Sequence, residues 1–324
     1  MEIESINPDY YTLNNFTFNN GTTLENLKVE YITFGTPKYD EEGHITNAVI
    51  YFHGTSGNYA SIKRIKEAIG ENLAFDTNKL FFVSLSTLGT PGSSSPSTSD
   101  MFNEYPEYTV LDMVNFNRMF LKEALNIINP LGLIGNSMGG FEALTWAAYY
   151  PNDIAFVISL VSSYKVGGQN YIIGKVMNDI IESDPDFGSP DKQMKRSLQL
   201  SSKAMYSFGL SRQYYMDLTK EEIDNYMDEF AQEDSEENVY DAYYRNKATI
   251  NYDLTGKVSN IIAPTLIIAI KEDQYFPPEL DAIPMHSLIH DSKLVVYNSH
   301  IGHIGSSQLN KIKDELEEFM KQFK

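Results

Sequence analysis

Leu131-Gly132-Leu133-Ile134-Gly135-Asn136-Ser137-Met138-Gly139-Gly140-Phe141-Glu142-Ala143-Leu144-Thr145-Trp146 joins an apolar run to a turn of small residues and then to a helical stretch that runs on to Tyr150 and stops at Pro151. The run reads as a buried strand, and the residues after the turn read as a helix. Ser137 therefore sits at the apex of a sharp strand-to-helix turn. Such a turn strains its backbone and brings the flanking chain close, so it needs the small residues that Gly135 and Gly139 supply. The G-x-S-x-G spacing alone is a weak signal; the strand before it and the helix after it make it a strong one. The turn lifts the Ser137 hydroxyl clear of the sheet and leaves the Met138 N–H at the start of the helix, free to face a developing negative charge.

Upstream, Leu27 to Phe34, Asn47 to His53 and Lys79 to Leu85 read as strands, the last two as nearly continuous apolar runs of the kind buried on both faces. An amphipathic helix follows from Val110 to Ile128. Downstream, Ala155 to Val161, Pro264 to Ile270 and Lys293 to Tyr297 are further strands. The expected fold is α/β, a mostly parallel central sheet with helices on both faces. Residues 1–164 and 263–324 are expected to form this core. Residues 165–262, rich in Tyr, Met, Asp and Glu and without buried-strand patterning, are expected to form a helical lid insertion over the C-terminal ends of the strands, where open sheets of this class bind ligands. Tyr206, Tyr214, Tyr215, Tyr240, Tyr243 and Tyr244 would pack its helices or wall an acyl chain.

Serine is a poor nucleophile unless a base takes its proton, and the base needs an acid to orient it. His303 lies past the last strand between Gly302 and Ile304, and Asp273 just past the strand that ends at Ile270. His300 and Glu272 are their competitors; a glycine-flanked loop histidine is the better placed to reach back to the turn, which favours His303. A second oxyanion donor is expected from the loop His53-Gly54-Thr55-Ser56-Gly57 behind the strand Val49-Ile50-Tyr51-Phe52, with Thr55 N–H as the candidate and Met138 N–H as its partner. His53 reads as a residue that structures this loop.

The 44 Asp and Glu against 25 Lys and Arg give a net charge of -19, which would repel nucleic acid and anionic membranes. With no cysteine, disulfides, thiolate nucleophiles and cysteine-ligated zinc are excluded. His286 and His290 share a helical spacing, but no third ligand accompanies them and no metal site is expected. The acidic start Met1-Glu2-Ile3-Glu4 lacks a signal-peptide pattern and no run approaches a membrane span, so a cytoplasmic protein is expected.

Together with Asp76-Thr77-Asn78-Lys79-Leu80-Phe81-Phe82-Val83 and Leu88-Gly89-Thr90-Pro91-Gly92-Ser93-Ser94-Ser95-Pro96, the stretch around Ser137 resembles the homoserine O-acetyltransferase family of α/β-hydrolase proteins. The similarity runs from about Leu24 to Val161 and resumes from about Ala263. It implies a Ser137, Asp273 and His303 triad, an acyl-enzyme, a lid that narrows the substrate tunnel, acyl-coenzyme A as a possible co-substrate and a homodimer. It also places Arg212 where the family binds a substrate carboxylate. The pattern departs in three places: the His53-Gly54-Thr55-Ser56-Gly57 loop differs from the family's usual residues, the lid is short, and where the family follows its catalytic histidine with an aspartate that helps hold the amino group of homoserine, this chain has Ile304. The leading expectation is therefore a serine hydrolase of small-molecule esters or thioesters that needs no cofactor. Transfer of an acyl group to a hydroxyl acceptor is the alternative, and a non-catalytic binding protein on the same fold is the third reading.

Overall fold

The computed structural model describes residues 3–190 and 192–323; Met1 and Glu2, half of the N-terminal segment read above, lie outside them. Eight strands form one sheet: β1 (Asp9–Thr17), β2 (Thr23–Gly35), β3 (Ala48–Phe52), β4 (Phe81–Leu85), β5 (Gly132–Asn136), β6 (Phe156–Leu160), β7 (Thr265–Ile270) and β8 (Ser292–Tyr297). Their spatial order is β1-β2-β4-β3-β5-β6-β7-β8. The β1–β2 and β2–β4 pairs are antiparallel, and every later pair is parallel. Every residue of β3 to β7 is buried. This is the burial that their unbroken apolar sequences require, since helices cover both faces of a parallel sheet.

One face is covered by α1 (Val110–Leu125), α2 (Met138–Tyr149) and, later in the chain, a helix at Ala282–Leu288. The other is covered by the 3-10 helix Tyr59–Ala68 and the C-terminal helix Lys313–Met320. Thr109 starts α1 with a reciprocal cap: its hydroxyl accepts from Asp112 N–H, and the Asp112 carboxylate accepts from Thr109 N–H.

Strand β1 was not anticipated from sequence. In Asp9-Tyr10-Tyr11-Thr12-Leu13-Asn14-Asn15-Phe16-Thr17 only Leu13 and Phe16 are buried, so the segment carries neither a continuous apolar run nor a clean alternation. It is an outer strand held by its long hairpin with β2, with Asp9 opposite Tyr31 and Thr17 opposite Thr23.

Between β6 and β7 the chain leaves the sheet for α3 (Gly168–Glu182), α4 (Lys195–Tyr206), α5 (Arg212–Asp217), α6 (Lys220–Asp234) and α7 (Val239–Ile250). The root of this insertion is tied by backbone bonds from Val166 N–H to Tyr252 O and from Leu254 N–H to Tyr164 O, both 2.9 Å. No helix among the described residues is long and apolar enough to cross a membrane.

Candidate active site

Ser137 links the last residue of β5 to the first of α2 with φ 55° and ψ -117°, a conformation that side-chain-bearing residues rarely adopt. The tight packing around it explains its neighbours. A Cβ on Gly135 would stand 2.1 Å from Gly139 O, and one on Gly139 would stand 2.2 Å from Phe52 O, so neither position tolerates a side chain. Ser137 N–H donates to Leu160 O at 2.9 Å and Ser162 Oγ donates to Ser137 O at 2.8 Å, which pins the strained turn against the end of β6.

His303 Nε2 lies 3.0 Å from Ser137 Oγ, and His303 Nδ1 lies 2.7 Å from Asp273 Oδ2. Asp273, only 3% exposed, follows β7, and its other oxygen accepts from Tyr275 N–H at 2.8 Å and Phe276 N–H at 3.1 Å. Both carboxylate oxygens are thereby committed. His303 stands in the 3-10 turn Gly302–Ser307, and its ring is met edge-on by Tyr275 with centroids 4.9 Å apart. Gly302 has φ +57°, and a Cβ there would meet Ser211 N at 2.5 Å, so a glycine is required where the histidine loop meets the insertion.

The competitors point elsewhere. His300 is exposed with Nε2 3.3 Å from Asp217, and Glu272 accepts from Ser299 N–H.

Met138 and Thr55 both border the space above Ser137. Among the described residues no backbone acceptor takes either N–H. Gly54 brings the Thr55 loop against the nucleophile: a Cβ on it would lie 3.5 Å from Ser137 Cβ. The loop is held from beneath by His53, wholly buried. Its Nε2 accepts from Thr87 N–H at 3.2 Å, so Nδ1 carries the proton and donates to Gly54 O at 2.7 Å. Burial pushes the His53 imidazole down to about 4, so it is neutral at physiological pH. Thr87 Oγ1 in turn donates to Glu142 Oε2 at 2.8 Å, as does Asn117 Nδ2 at 2.8 Å. Burial raises the Glu142 carboxyl to about 8. Sequence reasoning assigned Glu142 no role, although it is the one charged residue within α2 and that was the available signal.

A cavity of about 270 Å³ opens over Ser137. That volume is small for a ligand site and suits a short acyl group. Its floor is Ser137, Met138, Asn136 and His303, and its apolar wall includes Phe141, Val166, Ile173 and Ile250. Of the six tyrosines considered above only Tyr206 reaches it. Tyr243 donates to Glu182 and Tyr244 to Asn103 O, as helix-packing residues do. Arg212 does not line this cavity. It begins α5 behind the capping Ser211, is exposed, and donates from Nε to Gln274 Oε1 at 3.2 Å. The arginine on the cavity wall is Arg64, which the sequence reading passed over.

A family model described as "alpha/beta hydrolase fold" matches residues 47–306. A protein of Methanothermobacter thermautotrophicus described as "Probable acyltransferase" is 43% identical over 98% of this chain and 99% of its own. The homoserine O-acetyltransferase of Pasteurella multocida is 31% identical over 54% of this chain and 51% of that one, so the chain matches about half of that relative. Among solved structures, an acetylester hydrolase from Corynebacterium glutamicum superposes with a TM-score of 0.85 at 20% identity, covering 97% of this chain and 96% of that one. At that identity the likeness speaks for the shared fold alone.

Proposed function

Because the chain belongs to the alpha/beta hydrolase fold family, we propose that it is a serine acyltransferase which carries a short acyl group on Ser137 from an ester or thioester to a hydroxyl acceptor. The observation that carries this reading is the continuous hydrogen-bonded line Ser137 Oγ, His303, Asp273 at the floor of a small, largely apolar cavity. What moves the reading from hydrolysis to transfer is the full-length relative described as a probable acyltransferase.

In this reading Ser137 Oγ attacks the acyl carbonyl carbon while its proton passes to His303 Nε2. Asp273 holds the imidazole by Nδ1–H and stabilises the imidazolium. The carbonyl oxygen, now an oxyanion, accepts from Met138 N–H and Thr55 N–H. Collapse breaks the bond to the leaving thiol or alcohol, which departs with the proton from His303. The acceptor hydroxyl then gives its proton to His303, attacks the acyl-Ser137 carbonyl and, on collapse, returns Ser137 to its starting state. The apolar wall and the insertion above it favour an alcohol over water at the second step by limiting the room for solvent. Water as the acceptor is the second reading: Ile304, on the wall directly after the base, stands where the homoserine O-acetyltransferase family carries an aspartate for the acceptor's amino group, so homoserine lacks that partner here.

The test is release of coenzyme A from acetyl-coenzyme A across a panel of hydroxylated acceptors. Transfer requires at least one acceptor to accelerate release in proportion to acylated product. Release that no acceptor accelerates would make the protein a hydrolase.

A further inference from the structure

The chain carries 44 acidic residues, yet among the described residues no aspartate or glutamate lines the cavity above Ser137. Arg64 is the one permanently charged side chain on its wall among the described residues. It belongs to the 3-10 helix Tyr59–Ala68, where three residues per turn place Ser61 and Arg64 one above the other, and both border the cavity. Ser61 Oγ already accepts from Asn58 N–H at 3.1 Å, which leaves its O–H proton to donate. Ser56 and Tyr206 border the same cavity. Arg64 itself is exposed and has no ion-pair or hydrogen-bond partner among the described residues.

Carboxylates of a neighbouring pocket are committed elsewhere. In a smaller pocket behind the Thr55 loop, Arg245 holds Glu237 by two bonds of 2.6 and 2.8 Å, and Asp234 accepts from Ser202 Oγ at 2.6 Å. An ammonium group entering the main cavity would lose its hydration and find no counter-charge. An anion would find a guanidinium able to offer two parallel N–H donors beside serine hydroxyls, the arrangement that suits a carboxylate or phosphate.

We propose that Arg64 forms a subsite for an anionic group, a carboxylate or a phosphate, carried by the acyl donor of the Ser137 reaction. This rests on the acyl-enzyme reading above and adds the chemical class of the donor. The anion has two possible sources, the far end of a dicarboxylic acyl group or the phosphates of an acyl-coenzyme A.

The experiment compares kcat/KM within two pairs of donors for the wild-type protein, Arg64→Gln and Arg64→Glu. One pair is p-nitrophenyl hemisuccinate against p-nitrophenyl acetate; the other is acetyl-coenzyme A against the neutral thioester S-acetyl-N-acetylcysteamine. Loss of a charged hydrogen bond predicts that Arg64→Gln lowers the anionic-to-neutral ratio of one pair about tenfold or more, with Arg64→Glu lowering it further. A fall in the first pair assigns the subsite to an acyl carboxylate, and a fall in the second to the coenzyme phosphates. Ratios that stay level in both pairs overturn the inference. Failure of the wild-type protein to turn over any of the four in a Ser137-dependent way instead overturns the proposed function, and the inference falls with it.

Discussion

Asp273 shows how much of the chemistry is decided by single hydrogen atoms. Its Oδ1 accepts from Tyr275 and Phe276 N–H, and its Oδ2 faces His303 Nδ1. In Asp273→Asn the amide oxygen must stay with the two backbone donors, so the amide NH₂ turns toward Nδ1. That forces the histidine into the tautomer with hydrogen on Nε2, where it cannot take the Ser137 proton. A fall in kcat on the order of 10³ to 10⁴ is expected, with an unchanged melting temperature to show that the fold survives. A variant retaining a tenth or more of wild-type kcat would contradict this role for Asp273. At this scale Ser137, Asp273 and His303 were legible in the sequence, because strand ends and a glycine-flanked turn mark their places. Arg64 was not: its link to the cavity depends on how one 3-10 helix packs beside the loop at Thr55, and nothing in the local sequence encodes that.

Helix α2 is the element on which the site is built, and it carries its one charged residue, Glu142, wholly inside the protein. The carboxyl ties α2 to Asn117 of α1 and to Thr87, whose N–H supports His53 beneath the Thr55 loop. Burial raises its pKa from 4.5 to about 8, so over that interval the folded state keeps a proton that the unfolded chain has lost. Its contribution to stability is therefore fully present below the unfolded value and disappears as pH rises through about 8. His53 works in the opposite direction. Its folded pKa of about 4 against 6.5 means that stability falls as pH drops between those values. Denaturant titrations of the wild-type protein and Glu142→Gln isolate the first effect. Between pH 5.5 and 8 the wild-type protein should lose on the order of 3 kcal/mol relative to the variant; parallel stability curves would contradict the assignment. The strands beside this helix were read from sequence because burial on both faces leaves an unbroken apolar run. Strand β1 escaped because its pairing with β2, and not its own pattern, makes it a strand.

Across the whole molecule, the parallel sheet brings distant segments to one edge. Thr55 follows β3, Ser137 follows β5, Asp273 follows β7 and His303 follows β8, so four stretches of chain converge at the C-terminal ends of their strands. The helices between β6 and β7 join this edge at Ser211, whose hydroxyl donates to His300 O at 2.6 Å and whose backbone packs on Gly302. The sequence carried the order of these segments and the presence of an inserted helical stretch. It did not carry the shape of the cavity between them, because the cavity is walled by four of the inserted helices, α3, α4, α6 and α7, whose relative packing leaves no periodic trace. Whether Ser137 carries the acyl group is read out by peptide mass spectrometry of the protein quenched during turnover of acetyl-coenzyme A, beside Ser137→Ala. One acetyl group on the peptide containing Ser137 and none in the variant is the expected result. Coenzyme A release with that peptide unmodified, or with acetylation that persists in Ser137→Ala, would contradict it.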